Sequence, residues 1–306
     1  MKILVVGGTG MIGGHAALLL RAHGHEVTVA ARKPAPASSA LAELEFLRCD
    51  YLACDLPASV LARFATLVFA AGNDIRHAPQ GFDDATHWDR VNSQGVPRFF
   101  AHARAAGLRH AINVGSFYPQ AAPHLVGTNA YVRSRKLADE GARALATTEF
   151  RVMSVNAPFV TGTVPGLTVT MFEAYTRYAE GAFAALPDFA PAGGVNFISA
   201  QSLSEAILGA LLRGQSGVAY LVGDENLSFQ EYFGRFFRAV GKRASLPVRD
   251  EEHPMLPDSA LYFGRGNSLF YEPDPVETAL LGYRRNDVGR AIEEIVAQYR
   301  TPGAGR

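Results

Sequence analysis

Residues 2–24 read KILVVGGTGMIGGHAALLLRAHG, and the reading of this stretch decides the fold. Lys2–Val6 is a short apolar run, rich in β-branched residues, with the character of a strand. Glycines follow at once. From Met11 to His23 the apolar residues Ile12, Ala16, Leu19 and Leu20 recur at helical spacing until Gly24 stops the pattern. The predicted unit is strand, tight turn, helix, with Gly7, Gly10 and Gly13 forming G-x-x-G-x-x-G inside the turn. Glycines at these places let the turn close, let backbone N–H groups approach a pyrophosphate, and let the helix pack near the strand, while the helix N-terminus adds partial positive charge. Alone such a triplet is a weak signal; between a strand and a helix it points to a dinucleotide.

The alternation continues downstream. Glu26–Ala30, Leu44–Cys49, Leu67–Ala70, His110–Val114 and Phe150–Asn156 read as strands, with helices over Asp89–Ala106 and Ala130–Ala146 and the single tryptophan, Trp88, just ahead of the first. Each return to a parallel strand needs a crossover, so this order predicts an α/β fold of Rossmann type, a doubly wound parallel sheet with helices on both faces. After Pro158 the texture turns to TGTVPG, PDFAP and PAGG, with aromatic residues such as Phe172, Tyr175, Tyr178 and Phe197 among them. This predicts a smaller, interleaved substrate lobe whose aromatic residues either face a partly apolar substrate or fill the lobe's own core. Residues 1–160 form the cofactor domain, 198–222 return to it, and 161–197 with 223–306 form the lobe.

Composition narrows the partners. Of 306 residues 48% are hydrophobic and 19% charged, and 29 Lys+Arg balance 29 Asp+Glu, a globular chain without the basic footprint of a nucleic-acid binder. The opening apolar run is too short for a signal peptide and no segment reaches the length of a membrane span, so a cytoplasmic protein is expected. Cys49 and Cys54 read as thiols, and no metal-ligand spacing is present. A phosphate ligand must therefore be held locally. About 20 residues past the glycine loop, where a carboxylate for the ribose hydroxyls of NAD would stand, the chain has VTVAARKP. Nothing there repels a phosphate, and Arg32 and Lys33 can pair with one, so NADP(H) is preferred and NAD(H) remains possible. Asp50, after the third strand, can accept from the adenine amino group.

The chemistry lies in NAYVRSRKLADE, Asn129–Glu140. Together with the glycine loop, Ala70-Ala71-Gly72, Val91-Asn92, VGSFYP at 114–119 and the late NFISAQSLSEAI and LGYRRND, it makes the chain resemble the extended short-chain dehydrogenase/reductases, the NAD-dependent epimerase/dehydratase family. The resemblance implies a Ser/Thr-Tyr-Lys catalytic group, a small-molecule substrate and often a homodimer. Carried over by position, Ser116 would hydrogen-bond the substrate oxygen and Tyr131 would exchange a proton with it. Cofactor contacts would come from Gly7, Thr9, Gly10, Met11, Ile12, Gly13, Arg32, Lys33, Asp50, Tyr51, Ala70, Ala71, Gly72, Asn92, Val114 and Pro158. The chain departs from the pattern at Val6, at Gln201 and Ser202, and above all after Tyr131. Arg135 stands where the lysine belongs, and Lys136 follows one step beyond.

A tyrosine ionises near pH 10, so operation near neutrality requires roughly 4 kcal/mol of preferential phenolate stabilisation, to which a neighbouring cation contributes. On a regular helix residue i+4 is about 40° around from residue i, and i+5 about 140°. Arg135 then shares the face of Tyr131, whereas a π-bulge would bring Lys136 there instead. Both stay open. The expected function is an NAD(P)-dependent oxidoreductase acting on the carbonyl or alcohol of a small, partly apolar molecule. One alternative is a nucleotide-sugar epimerase or dehydratase with Arg235 or Arg265 on a diphosphate; another is a non-catalytic NADP(H)-binding sensor.

Overall fold

The computed structural model describes residues 1–72, 81, 84–242 and 245–301. Its strands are β1 (Lys2–Val6), β2 (Glu26–Ala31), β3 (Glu45–Arg48), β4 (Thr66–Phe69), β5 (His110–Ser116), β6 (Arg151–Ala157), β7 (Phe159–Thr161), β8 (Ala190–Pro191), β9 (Gly194–Ser199), β10 (Ala219–Leu221), β11 (Glu225–Ser228), β12 (Val248–Arg249) and β13 (Ser268–Leu269). Seven of them form one sheet in the order β10-β6-β5-β4-β1-β2-β3, every pairing parallel. In β1, Ile3 to Val6 are all buried, as a central parallel strand requires. Val6 pairs with Ala30 on one side and Phe69 on the other, and the chain leaves for opposite faces here. This is the switch point of a doubly wound sheet, and its crevice opens at the C-terminal strand ends.

The helices are α1 (Met11–Ala22), α2 (Ala58–Leu61), α3 (Asp84–Trp88), α4 (Gly95–Ala105), α5 (Tyr118–Ala121), α6 (Ala130–Arg143), α7 (Thr170–Glu180), α8 (Ala200–Arg213), α9 (Phe229–Ala239), α10 (Pro275–Leu281) and α11 (Val288–Tyr299). Ala16, Ala17 and Leu20 of α1 join Leu203, Ala206 and Ile207 of α8 in the core on one face of the sheet. On the other face Phe99, Phe100 and Ala103 of α4 meet Ala138 and Ala142 of α6. Among the described residues no helix is long and apolar enough to cross a membrane.

The helix expected over Asp89–Ala106 opens instead with a π-helical turn, Asp89–Gln94. Two local causes act. Pro97 has no N–H to close an α-helical bond onto Ser93, and the Tyr51 hydroxyl donates to the Val91 carbonyl at 2.8 Å. A second sheet, β11-β9-β13 with β7 on β9, belongs to the smaller lobe. Because β7 starts at Phe159, a division at residue 160 cuts a strand. Of the two readings of Phe172, Tyr175, Tyr178 and Phe197, the core is the one observed: they are at most 2% exposed and form the lobe's core. Phe197 stacks on Tyr232 at 4.1 Å, and Ser228 and Glu231 close a capping box on α9.

Candidate active site

The glycine turn is a cradle that side chains would fill. Gly7 has φ +82°, and a Cβ there would lie 2.7 Å from the Ala70 carbonyl; on Gly13 it would lie 2.4 Å from the Gly7 oxygen. Gly10 caps α1 without any side-chain hydrogen bond, so the first-turn N–H groups keep no side-chain acceptor. Thr9, Met11 and Ile12 are half-buried beside it, and Met11 packs against both the sheet core and the aromatic cluster of the lobe. Backbone amides, close approach and the helix end fit the pyrophosphate of a dinucleotide.

Beyond β2, Arg32 and Lys33 are exposed, and among the described residues neither has an ion-pair partner. Asp50 is already engaged in part: its carboxylate accepts from the Leu52 N–H at 3.0 Å, an Asx turn that shapes the loop after β3. Tyr51, 8% exposed, braces the π turn through the bond to Val91. Ala70, Ala71 and Gly72, half-buried, continue from the end of β4, and Pro158 is buried between β6 and β7.

Asn129 caps α6, accepting from the Val132 N–H at 3.0 Å, and so fixes Tyr131 in the first helical turn. Below it, Asn92, 1% exposed, donates to Ser134 Oγ at 3.1 Å, and Ser134 donates to the Tyr131 carbonyl at 2.7 Å. Helix α6 is regular. Arg135 therefore lies along the Tyr131 face, its guanidinium carbon 6.0 Å from the ring centroid. Its Nη2 donates to the Val114 carbonyl at 3.2 Å, and a Cβ on Gly72 would sit 2.6 Å from Nη1. The guanidinium thus spans the ends of β4 and β5. Lys136 is turned elsewhere, with Nζ 2.6 Å from Glu140 and its side chain 40% exposed, and the π turn that would have brought it round lies in the preceding helical stretch.

Ser116 ends β5, 8% exposed, and its Oγ accepts weakly from the Tyr118 N–H at 3.4 Å. Aromatic rings surround Tyr131: Trp88 edge-on at 5.1 Å, Tyr118 edge-on at 6.5 Å and Tyr262 parallel at 4.6 Å. Burial, and then the nearby Tyr131, push the Tyr118 hydroxyl well above the ordinary tyrosine range, so Tyr118 is a poor source of phenolate. Tyr262 escaped the sequence reading because its partner lies far away on α6; the only signal is an aromatic pair, Tyr262-Phe263, ahead of Gly-Arg-Gly. Arg235 is not free for a diphosphate, since Glu225 holds it at 3.1 and 2.6 Å.

Strand order, glycine turn and crevice define a dinucleotide-binding fold of the Rossmann class. The chain belongs to the NAD dependent epimerase/dehydratase family, whose model matches residues 3–217. Among solved structures it is similar to gox2253, at 18% identity with a TM-score of 0.78 over 100% of this chain and 99% of that one. It is similar also to UDP-glucose-4-epimerase from Stenotrophomonas maltophila with bound NAD and formylated UDP-arabinopyranose (18%, 0.76, 98% of each chain). A third is UDP-glucose 4-epimerase from Bifidobacterium longum in complex with NAD+ and UDP (14%, 0.74, 100% and 99%). At such identities the likeness establishes the fold. No curated protein matches the chain.

Proposed function

We propose that the protein is an NAD(P)-dependent oxidoreductase in which Tyr131 exchanges a proton with a substrate oxygen and Arg135 supplies the cation beside it. The observation that carries this reading is the Arg135 guanidinium, 6.0 Å from the Tyr131 ring and anchored on the Val114 carbonyl. A cation so held favours the phenolate that proton donation leaves behind. When bound, the nicotinamide supplies or takes the hydride at its C4. In the reducing direction Tyr131 gives its hydroxyl proton to the carbonyl oxygen as C=O becomes C–O–H, and Ser116 Oγ donates to the same oxygen. Arginine does not release a proton as lysine does, so the phenolate is reprotonated from solvent. Arg32 and Lys33, without an ion-pair partner among the described residues, support NADP(H) as the preferred cofactor, with NAD(H) possible; they would hold the 2′-phosphate.

The aromatic surroundings of Tyr131 support a small, partly apolar substrate. A nucleotide-sugar reaction is the second reading, favoured by the UDP-bound relatives in structure, but the engagement of Arg235 by Glu225 removes one diphosphate clamp. A carbonyl panel with NADPH, run beside UDP-glucose with NAD+ or NADP+, separates the cases. Net NADPH oxidation supports the oxidoreductase, turnover of UDP-glucose without net oxidation supports the epimerase, and binding without either leaves a sensor. In the first case Tyr131→Phe should lower kcat by about two to four orders of magnitude with NADPH affinity nearly intact; near-normal turnover would remove Tyr131 from the mechanism.

A further inference from the structure

We propose that Tyr262 is the specificity gate of this site and that it admits flat, unsaturated carbonyl or alcohol substrates, an inference that rests on the oxidoreductase reading. Tyr262 belongs to the smaller lobe, on the loop between the Asp258–Ala260 turn and β13, yet its ring lies on Tyr131 of α6 with centroids 4.6 Å apart and planes inclined by 19°. The same ring meets Tyr118 at 5.5 Å and 78°, and Tyr118 meets Tyr131 at 6.5 Å and 84°. Phe263 adds to the wall, 6.3 Å from Tyr118. The three tyrosines make two walls nearly at right angles beside the proton-transfer group. A substrate coming from the lobe side must slide along Tyr262 or displace it.

A flat conjugated group can do either and still keep ring contact, because offset stacking is open to any π face. A saturated ring or a sugar presents axial C–H bonds instead of a π face, so it packs on Tyr262 at a greater distance and gives up the ring–ring contact that a flat group keeps. Gly264 and Gly266 have φ +83° and +79°, a region in which glycine is unstrained. Between them Arg265 pairs at 3.7 and 3.5 Å with Asp250 and Asp258, whose side chains are 78% and 40% exposed, and donates to the Asp250 carbonyl at 3.4 Å; exposed pairs hold weakly, while Asn267 Nδ2 ties the loop to the Phe263 carbonyl at 3.0 Å.

Arg265 makes the gate measurable without any substrate, because trypsin cuts after it. Tyr262→Ala should speed that cut by about tenfold, while Tyr262→Phe should leave it within about threefold. Equal rates in wild type and Tyr262→Ala would overturn the gate. Substrate class is read from NADPH oxidation with benzaldehyde and cyclohexanecarbaldehyde, which match in size and differ in flatness. The KM for benzaldehyde should be lower by about tenfold, and Tyr262→Leu, which keeps apolar volume without a π face, should bring the ratio near one with kcat within about threefold. A wild-type ratio near one, or a ratio that survives Tyr262→Leu, overturns the selectivity. If neither aldehyde is consumed but another carbonyl of the panel is, the flat-substrate selectivity falls and the oxidoreductase reading stands; if no carbonyl is consumed, that reading falls, and the tryptic rates still decide the gate.

Discussion

The two ends of the crevice are built by opposite means. At the phosphate end, contact comes from backbone with the side chains stripped away: Gly7 against Ala70, Gly13 against Gly7, each closer than a methyl group permits. At the chemical end, ring is laid on ring, with Trp88, Tyr118, Tyr131 and Tyr262 arriving from four separate segments. The first end is local and has no slack. The second is assembled in three dimensions and can be retuned by exchanging one side chain.

The largest expected effect tests the lack of slack. Gly13→Ala places a methyl 2.4 Å from a backbone oxygen that cannot swing aside, and NADPH affinity, read by titration calorimetry, should fall by about 100-fold; a loss within about threefold would break the comparison. Next comes the joint between the two ends. Arg135→Ala should weaken both NADPH binding and turnover by about tenfold. Unchanged values would remove the guanidinium from both roles. Arg32→Ala should erase an NADPH-over-NADH preference of about tenfold, and equal affinities in the unmutated protein would dismiss that preference outright.

Smaller effects sharpen the picture. Gly72→Ala should cost severalfold in NADPH affinity because its methyl meets Arg135 Nη1, and the loss should shrink in an Arg135→Lys background. Independent, additive losses would mean that Gly72 is not the seat of Arg135. Lys136→Ala, at an exposed pair with Glu140, should change binding and rate by less than about threefold.

What could be read from the chain alone follows the same division. The glycine loop and the sheet order were legible because strand, turn and helix are encoded by neighbours in sequence, within Lys2–Gly24. Family membership followed from several such local motifs in order. The π turn was not legible in its true place. The register of Lys136 invites one in α6, whereas the one present depends on Pro97 and on the Tyr51 hydroxyl reaching across from the loop after β3. The aromatic residues after Pro158 stayed open between core and substrate surface for a related reason: periodicity tells that a ring is turned inward, not whether it meets core or crevice. Phe197 went to the core and Tyr262 to Tyr131, and only the packing of the two lobes separates them.

Trp88 is the chain's single tryptophan, its indole N–H donates to Asp84 at 2.9 Å, and its ring edge touches Tyr131. All indole emission from this protein therefore originates at one address, beside the tyrosine assigned to the proton. Ionisation of that phenol, arrival of a reduced nicotinamide that absorbs in the emission band, or departure of a stacked ring would each alter the signal without any added dye. The molecule carries its own lamp over the site, so changes there can be followed optically before any substrate has been found.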